Sequence, residues 1–178
     1  MKIKKLWISE YKNIKDQWFE FDNDSLITLL VGKNGLGEAI TIILKQLDLA
    51  DNANQVLNDK DFFEYEIEYL CHESTIKIKA RDGQLTISVL VGDDKWKELS
   101  FSEFRTDKDT KYLPENVIVY YSGENKRVKR LFENHWKRRD SQLRKSTKTK
   151  PPFLGRLFFV EENYGELLFL VLWIFKDY

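Results

Sequence analysis

The spacing of apolar and polar residues changes period several times along the chain, and each change predicts an element. Lys2 to Asn13 and Gln17 to Phe21 read as strands, with Asp22-Asn23-Asp24-Ser25 as the following turn. Leu26-Ile27-Thr28-Leu29-Leu30-Val31 has no polar alternation, the pattern of a strand covered on both faces. After a glycine-rich hexapeptide, Ile40, Ile43, Leu44 and Leu47 fall at helical spacing, widened by Ala39 and Ile42, so a mostly buried helix is expected. Asp51 to Asn54 and Asn58-Asp59 read as its exit loop.

From Phe62 to Phe104 the period is two. Phe63, Tyr65, Ile67 and Tyr69 alternate with Glu64, Glu66 and Glu68, while Ile76 and Ile78 alternate with Lys77 and Lys79. Glutamates facing lysines suit neighbouring antiparallel strands. Asp82-Gly83 and Gly92-Asp93-Asp94 supply turns around a strand from Leu85 to Val91, which makes the segment a meander. Val117 to Tyr121 reads as a second buried strand. A helix is expected after it, because Val128, Leu131, Phe132, His135 and Trp136 recur at three and four with basic residues opposite. Ser141 to Pro152 reads as a loop. The stretch Leu157 to Phe175 is strongly apolar, but its longest unbroken run, Leu167 to Phe175, is far shorter than the roughly eighteen residues of a membrane span. It reads as a core or interface helix.

Composition sharpens this outline at three points. A chain of 178 residues, 42% apolar and 14% aromatic, holds one domain with its own core. Cys71 is the single cysteine, so no disulfide framework exists, and the lack of a leader pattern at the start points to the cytoplasm. Formal net charge is zero, yet Asn125 to Lys150 holds eleven Lys and Arg against Glu133 and Asp140, a net of +9 that the remaining residues offset. That segment is a candidate polyanion-facing surface.

The candidate chemistry lies in Gly32-Lys33-Asn34-Gly35-Leu36-Gly37, between the fully apolar strand and the apolar helix. In a phosphate-binding loop, G-x-x-x-x-G-K-[ST], loop amides cradle phosphates, the lysine reaches the β/γ-phosphates and the hydroxyl holds magnesium. Gly32 and Gly37 fit the first six positions, but Glu38 and Ala39 stand where lysine and serine belong. A carboxylate ~4 Å from a phosphate charge at an effective dielectric of ~20 repels it by about 4 kcal/mol, more than the ~0.3–1 kcal/mol a helix dipole returns. The bland alternative is an ordinary strand-to-helix turn.

These residues resemble the ATP-binding-cassette ATPases of the RecF/SMC type, whose loop commonly reads G-x-N-G-x-G-K-S-x-x-x-E-A-I. Here Glu38-Ala39-Ile40 follows Gly37 at once, as if five residues, lysine and serine among them, were cut out. The likeness extends backward to Leu6-x-Ile8-x-x-Tyr11-Lys12-Asn13-Ile14, similar to the family's opening strand, and forward to Val117 through Arg127, similar to the strand leading into its Q-loop. Within the group, ATPases of prokaryotic restriction and defence systems are most alike. The resemblance implies an α/β fold, the N-terminal lobe of a P-loop NTPase head, with a mixed sheet and an antiparallel β-meander. It divides the chain into opening strands, loop and first helix (1–50), β-subdomain (60–121), basic helix and loop (122–150) and an apolar C-terminal helix (151–178). It implies ATP and Mg2+ as cofactors. The implied partners are a second head or C-terminal lobe, DNA, and restriction or defence nuclease subunits, with no membrane. No signature motif, Walker B strand end or switch histidine is present, so hydrolysis is not expected.

The remaining candidates carry plainer readings beside the functional ones. Glu124 falls in the Q-loop region, where a side chain can reach metal or water, and equally suits the acid-favouring start of a helix. Lys126, Arg127, Lys129, Arg130, Lys137, Arg138 and Arg139 are candidate DNA-backbone contacts, or a solvated helix face. His72 beside Cys71 lacks a second ligand pair for zinc, His135 reads as a core histidine, and the five tryptophans read as core or sheet packing. Two functional readings stand: a nucleotide-binding lobe crippled at its loop, and a degenerate, non-enzymatic scaffold or DNA-binding module. For the loop itself, packing of Ile40, Ile42, Ile43, Leu44 and Leu47 is expected to outweigh the phosphate nest. The helix then begins near Glu38, Asn34 to Gly37 is opened, and no phosphate is bound.

Overall fold

The computed structural model describes residues 1–21, 35–92, 95–106, 112–114, 117–120, 127–133, 136–137, 140–141, 144 and 157–160. The chain is α/β, with few helices, and divides into two compact units, Met1–Glu115 and Asn116–Tyr178.

The first unit is built on a six-stranded antiparallel sheet. Its strands are β1 (Lys2–Tyr11), β2 (Ile14–Glu20), β3 (Tyr65–Cys71), β4 (Ser74–Arg81), β5 (Gln84–Val91) and β6 (Lys95–Leu99). Their order is β2-β1-β3-β4-β5-β6, so every neighbour except the β1–β3 pair is joined by a hairpin. The period-two patterning decides which face is covered. Leu6, Ile67, Ile78 and Ile87 stand in one cross-strand row and are buried, as are Tyr65, Tyr69, Ile76 and Val89 beside them. The other face carries the charges in opposed rows. Glu66 is registered with Lys79 and Glu68 with Lys77, and the side chains close to 3.3 Å and 3.4 Å. The glutamate-against-lysine reading of the sequence holds in full. Asp82 and Gly83 both adopt positive φ, the pairing that a two-residue turn needs to match the twist of its strands.

Among the described residues, three helices belong to this unit. Helix α1 (Leu36–Leu49) carries the predicted apolar stripe, but from Thr41 through Asp48 every residue is buried, so the helix is enclosed on all sides. Its polar members are mostly matched. Lys45 lies 3.2 Å from Asp61 and 3.9 Å from Asp59, and Thr41 Oγ1 donates to the Gly37 carbonyl at 2.8 Å. Arg105 donates to the carbonyls of Leu47 and Asp48 and covers the C-terminal end, where helix carbonyls lack partners. The side-chain amide of Gln46 has no hydrogen-bond partner among the described residues.

Helices α2 (Ala53–Leu57) and α3 (Phe101–Thr106) correct the sequence reading. Ala53 and Asn54 were expected in a loop, yet the Asn52 side chain accepts from the Gln55 amide and starts a short helix. Phe101 and Phe104 were placed in the period-two segment. A reciprocal cap, with Glu103 Oε2 accepting from the Ser100 amide and hydroxyl and Ser100 Oγ accepting from the Glu103 amide, turns that stretch into a helix.

In the second unit, β7 (Val117–Tyr120) pairs in parallel with β8 (Leu157–Val160), and α4 (Arg127–Leu131) is followed by helical residues at 133, 136–137, 140–141 and 144. Phe132 is buried and its ring meets those of Trp136 and Phe159, with centroids 6.4 Å and 5.3 Å away. Three expectations change here. Ile118 is 71% exposed, so β7 is not covered on both faces. Ser141 and Arg144 are helical where a loop was expected. Leu157–Val160 is a strand, because a four-residue apolar run satisfies a strand as well as a helix turn and pairing with β7 decides between them. The strand expected at 26–31 and the helix expected over 167–175 lie outside the described residues. Among the described residues no helix is long and apolar enough to cross a membrane.

Candidate functional site

Of the glycine loop, Gly35, Leu36 and Gly37 are described; Gly32, Lys33 and Asn34 lie outside the described residues. Gly35 is the N-cap of α1, in extended backbone (φ −176°), and its carbonyl accepts from the Ala39 amide at 2.8 Å. Leu36 and Gly37 belong to the helix. The helix therefore starts two residues earlier than expected, and the second half of the loop is helical rather than opened. The reason is local. Glycine costs a helix only ~1 kcal/mol, and taking in Leu36 and Gly37 carries the ladder one further half-turn, with the Thr41 hydroxyl as an added partner for the Gly37 carbonyl.

Gly35 fits under the β1–β2 turn. A Cβ there would lie 3.0 Å from Asn13 Oδ1 and 3.2 Å from the Ile14 Cδ1 methyl, and Ile14 is buried. The turn therefore rests against the start of α1. It also supplies a cation: Lys12, at φ 57°, forms an ion pair with Glu38 in the first turn of the helix. The two side chains are 26% and 13% exposed, so the pair is largely sheltered. An anion next to a helix N-terminus is favoured by the dipole, and here the chain's own carboxylate holds that place. Lys12 was visible in the sequence only as part of the opening-strand likeness. Its link to Glu38 spans 26 positions, beyond any local pattern.

The basic segment is partly described. Glu124, Lys126, Arg138, Arg139 and His135 lie outside the described residues, and Arg127 opens α4. Lys129 is half-buried, while Arg130 and Lys137 are exposed. The exposed helical residues Arg130, Glu133, Lys137, Asp140 and Arg144 recur at three and four and alternate in sign along one face. Such alternation is the pattern of a helix face laced by its own charges.

Elsewhere, His72 is exposed in the β3–β4 turn and Cys71 is buried at the end of β3. Among the described residues no group of three or more His, Cys, Asp or Glu is placed to hold a metal. Trp7 and Trp18 pack at 6.4 Å on the charged face of the sheet, and Lys77 sits 4.2 Å over the Trp96 ring. Trp18 and Trp96 are exposed on that face, so of the core-or-sheet-packing reading the sheet-packing alternative applies to those two. No protein-family model, no curated protein and no solved structure matches this chain.

Proposed function

We propose that the chain is the ATP-binding lobe of an ABC-type ATPase acting in DNA repair or phage defence, unable to hydrolyse ATP as its sequence stands. The observation that carries the reading is Gly35 at the head of a fourteen-residue, largely buried helix, in a position where a side chain would crowd Asn13 and Ile14 of the β1–β2 turn. The α/β character of the chain, with an antiparallel sheet in the first unit and, separately, a parallel strand pair in the second, is compatible with a P-loop NTPase head, whose mixed sheet is part of the proposal. On this reading ATP and Mg2+ are the ligands of the intact loop. A second head or C-terminal lobe completes the site, DNA and defence nuclease subunits are the partners, and the cytoplasm is the compartment.

Titration with Mg-ATP, together with an ATPase assay, tests it. The chain is expected to show no turnover above a protein-free blank and weak or no binding. Insertion of Lys-Ser and three helix-forming residues between Gly37 and Glu38 is expected to restore Mg-dependent binding. Turnover by the unaltered chain that a Gly37 substitution abolishes, or an insertion that restores nothing, overturns the proposal.

A second reading, a degenerate ATPase-fold scaffold or DNA-binding module, is favoured by the Lys12–Glu38 pair, which places a carboxylate where phosphate would approach. It expects no nucleotide binding in either form. Its DNA branch expects affinity that falls steeply with salt, has little sequence preference, and is lost when Lys126, Arg127, Lys129 and Arg130 become glutamate. The alternating charges on the exposed helix face count against that branch.

A further inference from the structure

We draw no further inference here: the strongest candidate, the Lys12–Glu38 ion pair at the first turn of α1, is a helix N-terminus with no second observation beside it that points to a ligand.

Discussion

Tyr65 and Tyr69 stand on the same buried face of β3, two residues apart, and differ in what their hydroxyls meet. Tyr69 donates to the Tyr112 carbonyl at 2.7 Å, whereas the Tyr65 hydroxyl is buried with no partner among the described residues. A buried unsatisfied hydroxyl costs about 1–3 kcal/mol, while a made hydrogen bond contributes about 0.5–1.5 kcal/mol. Tyr65→Phe is therefore expected to leave stability unchanged or raise it, and Tyr69→Phe to lower it, as read from urea midpoints. Equal losses in both variants would refute this. Burial also pushes both phenols well above their ordinary range. Their neutral form is favoured in the folded state, so stability is intact below pH ~10, where the unfolded tyrosines begin to ionise, and falls as pH rises toward the folded values. Each tyrosine steepens the fall by about 1.4 kcal/mol per pH unit, and midpoints measured from pH 9 to 11 should drop less steeply in Tyr65→Phe. Gly35 gives the second test at this scale. Its φ suits any residue, so the penalty of Gly35→Ala comes from crowding Asn13 and Ile14, about 1–3 kcal/mol. Combining it with Ile14→Val, which shortens the crowding side chain, should recover part of the loss in a double-mutant comparison.

Among the elements, the two edge strands of the six-stranded sheet formed by the described residues each carry a feature that opposes further pairing. Asp16 lies mid-strand in β2 with φ 42°, which breaks the line of backbone groups that edge would offer to another strand. On β6, Lys97 and Lys95 are registered opposite Val89 and Val91, on the face that elsewhere carries the core. Inward lysines on an edge oppose further pairing. Replacing both with valine is expected to produce concentration-dependent association in light scattering, whereas the unaltered edge remains unpaired at the same concentration. Those lysines also account for what the sequence concealed. Strands β3 and β4 were legible because one face is covered and the other charged, and β5 because Ile87 and Val89 alternate with Thr86 and Ser88, so alternation survives in the residues. Strand β6 was not, since Lys95, Trp96, Lys97 and Glu98 are exposed whichever face they share. Helices α2 and α3 are a turn or two long and depend on side-chain caps rather than on any apolar period. At the candidate site, the glycine loop and the buried helix were legible from local spacing. The early helix start was not, because no apolar period marks Leu36 and Gly37 as helical, and the Lys12–Glu38 pair was not, because folding brings its members together across 26 positions.

At the scale of the whole molecule, the sheet of the first unit mixes two kinds of connection. Strands β3 to β6 follow one another through hairpins, but β1 joins β3 by setting Leu6 against Ile67 across everything that lies between them, α1 included. Closing a long loop costs entropy that local pairing does not. The hairpins are therefore expected to form first, with the β1–β2 hairpin docking onto a finished edge. Gly83, at φ 71° in open space, sets the β4–β5 turn, so Gly83→Ala imposes backbone strain of about 1 kcal/mol on an early event. Leu6→Ala, about 2–5 kcal/mol at a fully buried site, strikes a late one. In stopped-flow chevrons, the glycine variant should mainly slow refolding and the leucine variant mainly speed unfolding, and the reverse assignment would refute this order. Because the first turn of α1 leans on the β1–β2 turn, its glycine-headed end is then expected to be among the last parts of the unit to take shape, and among the first to be released when the chain begins to come apart.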